Sequence, residues 1–238
     1  MANKNNYSEM QFDTFEDKIG VSFRDKSLLR QAFTHRSYIN EFRVDKLEHN
    51  ERLEFLGDAV LELATTDFLY KQYPDKNEGE LTSLRAAVVN AITLSDIATS
   101  LGMDEYLLLS KGERKDTGKA RQYILANTIE ALIGAIYLDR GYDTAEEFIT
   151  RTISSRLKGI LEKGVWTDAK SLFQEKAQDQ LGATPLYKVL KEIGPDHDKQ
   201  FTSGVYLRDN LTGTGQGKSK QEAEQAAARD ALQKKGWK

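Results

Sequence analysis

The first two thirds of the chain carry apolar residues at helical spacing. Between positions 15 and 161 these residues recur every three or four positions, and Pro74 is the only proline in that stretch. Residues three and four apart lie on the same side of an α-helix, so the pattern predicts a bundle of helices. The polar segment 111–119 interrupts the pattern, and we predict that it forms a mobile loop.

The pattern changes after about position 168. We predict a helix, three strands and a second helix over residues 170–181, 186–193, 200–207, 212–217 and 220–233. Turn-forming residues separate the strands, at Gly194-Pro195-Asp196 and at Asp209-Asn210. Consecutive strands joined by short turns favour an antiparallel sheet that two helices cover. The predicted fold class is a mainly α N-terminal domain followed by an α+β domain with the order α-β-β-β-α.

A short segment rich in lysine and glycine, residues 158–170, joins the two patterns. Its composition is more typical of a linker than of a core element. We therefore predict a helical domain over 12–160, a linker over 161–167 and a second domain over 168–238.

Composition restricts the kinds of site that the chain can form. It has no cysteine, and its three histidines, His35, His49 and His197, lie far apart in sequence. Disulfides and thiolate zinc sites are excluded, so a bound metal must be held by oxygen ligands. No apolar stretch reaches the roughly 18 residues of a membrane span, and the first residues lack the apolar core of a signal peptide. We expect a cytoplasmic protein without a membrane partner.

The charge is unevenly distributed along the chain. Overall the chain carries a net charge of −3, which by itself argues weakly against nucleic-acid binding. Residues 168–238 hold 12 Lys and Arg against 10 Asp and Glu, whereas the preceding residues hold 22 against 27. The acidic part suits a divalent metal, and the mildly basic part could face phosphate groups.

Four acids share one side of a predicted helix over residues 50–63. They are spaced by 3, 4 and 4 positions, whereas Leu53, Leu56, Val60 and Leu63 are predicted to lie opposite. The acids are Glu51, Glu54, Asp58 and Glu62. Such a stripe is typical of a solvated helix face as well as of a site, and its spacing does not decide between them.

A fifth acid, Glu130, interrupts a segment that is apolar nearly all round, 123–138. An unpaired buried carboxylate costs several kcal/mol, so Glu130 should be neutralised, paired or bound to metal. Asn127, one turn earlier, could add an amide oxygen, which would complete an oxygen cage with Glu54 and Asp58. An ion pair with Arg52 or Arg85 explains Glu130 equally well, and both interpretations stay open.

The same segments resemble the ribonuclease III family. The resemblance extends over NERLEFLGDAVLEL at 50–63, THRSY at 34–38, NEGELTSLRA at 77–86 and ILANTIEALIGAIYLD at 124–139. It implies that Glu54, Asp58, Asn127 and Glu130 hold metal, that Asp58 and Glu130 are catalytic, and that Glu51 and Glu78 line a cleavage valley near a dimer interface. It also implies a homodimer, formed through the helical domain, that cuts double-stranded RNA with Mg²⁺, for which Mn²⁺ substitutes. In the family the products carry 5′-phosphate and 3′-hydroxyl ends, and precursors of ribosomal RNA and structured messenger RNAs are processed.

One position departs from the family pattern, because Asn127 stands where the family usually has Asp. An amide oxygen can still coordinate Mg²⁺, but the site loses one negative charge. We therefore expect weaker metal binding with retained chemistry. The alternative is a catalytically weak or inactive protein that binds double-stranded RNA without cutting it.

The second domain resembles a double-stranded-RNA-binding domain. The resemblance rests on the first helix with its preceding Asp168, on GPDH at 194–197 and on GKSKQEAEQAAA at 217–228. Such domains contact ribose hydroxyls in minor grooves and the phosphates between them, which favours RNA over DNA. The resemblance assigns the RNA contacts to Ser171, Gln174, Glu175, His197, Lys218 and Lys220. Without the resemblance, helix capping and ordinary solvation would explain the same residues.

Overall fold

The structure, a computed structural model, describes residues 12–43, 47–163, 169–195 and 199–237. It divides into two compact units between residues 166 and 167. The first unit is helical, and the second contains one sheet and two helices, so the predicted fold class is confirmed. Among the described residues, none of the helices has the length and apolar character needed to cross a membrane.

The first unit consists of nine helices and a short 3₁₀ helix among its described residues. The 3₁₀ helix spans Met103–Tyr106. The α-helices, numbered α1 to α9 in chain order, are Asp13–Ile19, Lys26–Ala32, Arg36–Phe42, Glu51–Gln72, Glu78–Val88, Ala91–Ser100, Lys111–Lys115, Lys119–Arg140 and Tyr142–Lys163.

Two of the three longest helices form the centre of this unit. Helices α4 and α8 each have 22 residues and pack directly against one another. The middle of α8 is enclosed, and Ala131, Leu132, Ala135 and Ile136 have no exposed surface. Because the middle of α8 is apolar on most of its sides, neighbouring helices can cover that part of the helix, as the sequence pattern predicts.

Helix α7 corrects the prediction of a loop over 111–119. The Ser110 side chain accepts a hydrogen bond from the backbone N–H of Glu113 and so caps the helix at Lys111–Lys115. This turn is also tied to α3, because the N–H of Ser110 donates to Ser37 Oγ and the N–H of Lys111 donates to Glu41. The polar composition of this segment therefore reflects capping and surface exposure, and the prediction of a loop is wrong for 111–115.

Helix α9 extends further than the sequence indicates. It continues through Gly159 to Lys163, and Ile160 and Leu161 pack against the core of the unit. The residues from 158 to 161 are thus part of a packed helix, which corrects their interpretation as linker. Residues 164–168 lie outside the described residues, and the domain boundaries stay a prediction.

The second unit has the order α10, β1, β2, β3, α11. Its elements span Ala169–Leu181, Pro185–Ile193, Gln200–Leu207, Asn210–Gly217 and Lys220–Lys235. The strands form an antiparallel sheet in the order β1-β2-β3. Phe173, Val205 and Ala227 are fully buried in its core. Gly213 and Gly215 face α11 so closely that a side chain at either position would collide with that helix.

The turn between β2 and β3 lies one residue earlier than predicted. Leu207 pairs with Asn210, so the turn residues are Arg208 and Asp209, and Asn210 belongs to β3. Arg208 has a φ of 54°, in the left-handed region that glycine and asparagine usually occupy. The Asp209-Asn210 pair therefore indicated the turn correctly but placed its centre wrongly.

Candidate active site and RNA-binding surface

The predicted site residues of the helical unit lie where α4 and α8 meet. Glu54 and Asp58 are in the first two turns of α4, and Asn127 and Glu130 are near the middle of α8. The two backbones touch at this level, because a Cβ atom at Gly57 would lie 1.7 Å from the carbonyl oxygen of Glu130. The structure thus brings these four side chains, which we call the carboxylate cluster, together beside a close contact of the two helices.

The members of the carboxylate cluster influence one another electrostatically. Burial raises the pKa of Glu130 and the negative charges of Asp58 and Glu54 raise it as well, so that together they bring it to about 7. Burial also raises the pKa of Glu54, as do Glu51 and Asp58, whereas a side-chain hydrogen bond from Asn127 lowers it. Burial and mutual repulsion therefore disfavour the ionised forms of Glu54 and Glu130 in the absence of a cation.

Arginine does not neutralise the cluster. Among the described residues, none of the ion pairs includes Glu54, Asp58 or Glu130. Arg85 instead contacts Glu62, with Nε 2.9 Å from Oε2, and also donates to Thr66. Arg52 is exposed on α4. The Glu130–arginine pair, which the sequence left open, is not formed.

The donor set of the cluster suits a hard divalent cation. Three carboxylates and an amide can offer oxygen ligands, and a cation would favour the ionised form of Glu130, whose pKa is raised by burial and by the charges of Asp58 and Glu54. In the part of the chain that the structure describes, however, no three acidic or histidine side chains are already gathered into a metal-binding group. The side chains adjoin one another, and rotation about their side-chain bonds would be needed to close them around an ion.

Two other predicted acids lie outside this cluster. Glu51, at the start of α4, forms an ion pair with Arg36 at 3.0 Å, and His49 Nδ1 lies 3.8 Å from its second oxygen. Glu78, the first residue of α5, is exposed and accepts a hydrogen bond from Thr82. Glu78 borders a cavity of about 420 Å³ between α4 and α5 and is not among the charges that act on Glu54 or Glu130.

Sequence reasoning missed three residues that shape the site. Arg36 pairs with Glu51, and Gly57 and Gly134 allow α4 and α8 to touch. Arg36 belongs to the THRSY motif, which could have pointed to it. The glycines gave a weaker signal, namely that each lies inside a helix, where glycine is unfavourable unless close packing requires it.

The predicted RNA contacts of the second unit lie on its surface. Ser171, Gln174 and Glu175 are exposed on α10, on the side away from the buried Phe173. Lys218 and Lys220 are exposed at the start of α11. Ser219 caps this helix, and the carboxylate of Glu222 accepts a hydrogen bond from the N–H of Lys218. His197 and Asp168 lie outside the described residues.

Comparison with known protein families divides the chain in the same way. Residues 25–157 match the family described as Ribonuclease-III-like, and residues 169–235 match the double-stranded RNA binding motif. The first match includes the whole carboxylate cluster. The second includes the three strands and both helices of the second unit.

Relatives resemble the chain over almost its whole length. Ribonuclease 3 of Natranaerobius thermophilus is 48% identical over 219 residues, covering 92% of this chain and 94% of the relative. Ribonuclease 3 of Bacillus cereus is 46% identical, with coverages of 94% and 91%. The solved nuclease domain of ribonuclease III from Campylobacter jejuni is 38% identical, covers 62% of this chain and 97% of its own, and has a TM-score of 0.56. The chain therefore belongs to the ribonuclease III family.

Proposed function

We propose that this ribonuclease III-type endoribonuclease hydrolyses phosphodiester bonds of double-stranded RNA at the carboxylate cluster. The proposal includes 5′-phosphate and 3′-hydroxyl products and assigns metal binding to Glu54, Asp58, Asn127 and Glu130. The observation that carries it is the concentration of acids without a neutralising arginine between α4 and α8. A site of this kind suits phosphate chemistry, in which both the substrate and the transition state are negatively charged.

Mg²⁺, with Mn²⁺ as a substitute, would supply positive charge for the phosphate and a Lewis acid that activates water. The chain's own groups then orient the reactants. The carboxylate oxygens of Asp58 and Glu130 can accept hydrogen bonds from the attacking water and so direct its lone pair. In the metal-free protein the pKa of Glu130, about 7, lies in the range in which a carboxyl group exchanges protons at neutral pH.

Substrate choice is assigned to the second unit. Exposed polar residues of α10 and lysines at the start of α11 fit the contacts that such domains make with ribose hydroxyls and phosphates. The amide groups at the start of a helix also favour phosphate. We propose that Ser171, Gln174 and Glu175 contact one minor groove, His197 the next, and Lys218 and Lys220 the phosphates between them.

We further propose that the active form is a homodimer built through the helical unit. A solved Campylobacter jejuni neighbour, 39% identical with a TM-score of 0.55, is described as flexible in a region involved in dimer formation of its nuclease domain. In the present chain several large apolar side chains of the helical unit are exposed, among them Phe55 at 82%. Burial of such residues favours association. In the dimer, Glu51 and Glu78 would line the valley between two sites that cut opposite strands with a short 3′ overhang.

The alternative of an inactive duplex-binding protein rests on Asn127 alone. No observation favours it, because Asn127 contacts Glu54 and keeps an oxygen that can coordinate a cation. Cytoplasmic processing of ribosomal and messenger RNA stays a prediction from the family.

One assay distinguishes the two functions. The chain is incubated with long duplex RNA in Mg²⁺, in Ca²⁺ and in chelator, with duplex DNA as the substrate control. We expect fragments of the RNA only with Mg²⁺ and no fragments of the DNA. A shift of intact RNA in all three conditions would identify a binding protein without nuclease activity.

A further inference from the structure

Two glycines face each other where α4 and α8 touch. A Cβ atom at Gly57 would lie 1.7 Å from the carbonyl oxygen of Glu130 and 2.8 Å from the backbone nitrogen of Gly134. A Cβ atom at Gly134 would lie 2.2 Å from the carbonyl oxygen of Leu53 and 3.1 Å from the nitrogen of Gly57. The contact is reciprocal, and each glycine lies directly on the backbone of the opposite helix.

No flexible side chain can move aside to accept a methyl group at this contact. The atoms nearest to both glycines belong to the backbone, and ordinary van der Waals contact with a Cβ atom begins at 3.4 Å. A methyl group at Gly57 would therefore force the helices apart by more than about 1 Å, because well-packed helices have no free space to absorb it. Glycine at these two positions sets the distance between α4 and α8.

This distance is also the distance between the two halves of the carboxylate cluster. Gly57 lies between Glu54 and Asp58 in α4, and the backbone oxygen that it contacts belongs to Glu130. The charges of Glu54 and Asp58 act on Glu130 across this contact, and like charges oppose so close an approach. Close packing at the glycines holds the carboxylates together against that repulsion.

We propose that Gly57 and Gly134 are positioning residues that set the spacing of the cation-binding carboxylates. The inference rests on the proposed function, because it takes Glu54, Asp58 and Glu130 as ligands of a divalent cation. Sites of this kind tolerate displacements of only about 0.5 Å. A helix shift of more than that would increase the distance from Glu130 to Glu54 and Asp58, although none of these three residues would be altered.

The test uses Gly57→Ala and Gly134→Ala in the full chain. Binding of Mn²⁺ without RNA is measured by isothermal titration calorimetry, and folding is followed by far-UV circular dichroism during heating. We expect a cooperative melt for both variants and a Mn²⁺ affinity about 10- to 100-fold below that of the unaltered chain, the usual range for loss of a supporting residue. Ala64→Val is the packing control, since Ala64 is fully buried in α4 but lies almost two turns beyond Gly57. It should lower the melting temperature and leave Mn²⁺ binding nearly unchanged.

A longer side chain provides a second readout that a general loss of stability would not produce. Asp58→Glu adds one methylene group to the reach of the carboxylate. In the unaltered chain it should weaken Mn²⁺ binding, whereas in the Gly57→Ala background it should recover part of the lost affinity. Such a change of sign indicates that the defect is one of distance.

The outcomes separate this inference from the proposed function. Unaltered Mn²⁺ binding in both alanine variants would overturn the inference, and so would failure of both to fold, because the glycines would then be needed for folding and not for spacing. The proposed site itself is tested by Glu130→Gln. If that variant binds Mn²⁺ as tightly as the unaltered chain, the proposed function fails irrespective of the glycines.

Discussion

At the scale of single residues, the role proposed for Glu130 opposes the stability of the folded chain. Its carboxyl group is partly buried close to Asp58 and Glu54, which raises its pKa to about 7. In an unfolded chain the same group would titrate near its ordinary value of 4.5. Folding without a cation therefore favours the protonated form of Glu130. Ionisation of Glu130 lowers the free energy of unfolding and so makes the folded state less stable. Strained electrostatics of this kind are common at sites that bind a cation or perform acid–base chemistry.

We predict that Glu130→Gln stabilises the metal-free protein at high pH. Between about pH 4.5 and pH 7 the folded state binds more protons than the unfolded state, so the free energy of unfolding of the unaltered chain falls as pH rises. Glutamine removes this dependence. Urea denaturation in chelator should show the variant more stable by on the order of 1–3 kcal/mol at pH 8 and nearly equal at pH 4.5. Equal stability at both pH values would contradict the assigned environment, and Glu62→Gln serves as the control.

A second prediction concerns Asn127. Asn127→Asp adds a negative charge to the carboxylate cluster, which strengthens attraction for a divalent cation. Half-maximal cleavage should therefore occur at a lower Mg²⁺ concentration in the variant than in the unaltered chain, by severalfold. Titration of Mg²⁺ against the initial cleavage rate measures this. An unchanged Mg²⁺ requirement would mean that residue 127 does not contribute to the metal site.

Residue spacing predicted that four acids share one side of α4, but not which of them form ion pairs with arginine. The 3, 4, 4 spacing groups four acids, yet Glu51 pairs with Arg36 and Glu62 pairs with Arg85. Those partners come from α3 and α5, and helix periodicity contains no information about them. Leu63, which was predicted to lie opposite the acids, is 58% exposed. The side of α4 that faces α8 includes Gly57, which has no apolar side chain and so leaves no mark in the hydrophobic pattern.

At the scale of elements, the second unit was the easier one to predict. Its strands are short and separated by turn-forming residues, so the predicted bounds differ from the observed ones by two residues or fewer. Helix α7 was not predicted, because its five residues contain no buried side chain and therefore no apolar periodicity. The turn at Arg208 was predicted one residue too late for a different reason. Pairing of β2 with β3 imposes a left-handed conformation on Arg208, and arginine rarely adopts that conformation.

The start of α11 allows a prediction about salt dependence. Lys218 and Lys220 are exposed there, and each phosphate contact contributes to the release of counterions. Replacing both by alanine should weaken duplex binding for all sequences alike and reduce the slope of log affinity against log salt by about one per lysine. Lys234→Ala is a suitable control, because Lys234 lies at the other end of α11 and pairs with Asp230. Filter binding over a range of salt concentrations measures the slope, and an unchanged slope would exclude these lysines from the RNA contact.

At the scale of the whole molecule, the proposed function assigns cutting and duplex binding to different units of the chain. Each unit has a hydrophobic core of its own, and the family matches fall on different sides of the division. The uneven charge follows the same division, with acidic residues in excess before position 168 and basic residues in slight excess after it. The end of α9 was harder to predict because lysine and glycine at 158–163 look like a linker, whereas packing of Ile160 and Leu161 keeps the helix intact.

This separation predicts the behaviour of a truncated protein. A chain that ends at residue 164 keeps the described helices of the first unit and loses all five elements of the second. It should bind duplex RNA far more weakly at physiological salt and still cleave at low salt, where the remaining electrostatic contacts are less screened. Gel-shift and cleavage assays on the same preparation measure both properties. Tight binding by the truncated chain at physiological salt would contradict the assigned division of labour.

The central claim is that the carboxylate cluster performs hydrolysis and that other residues bind the duplex. It is tested most directly by measuring cleavage and duplex affinity together for Asp58→Asn and Glu130→Gln, with Glu62→Gln as the control on the same helix as Asp58. We predict that both cluster variants lose cleavage by several orders of magnitude and bind duplex RNA within about twofold of the unaltered chain. Glu62→Gln should keep both properties. Cleavage at the unaltered rate by Asp58→Asn or Glu130→Gln, or a parallel loss of cleavage and binding, would contradict the claim.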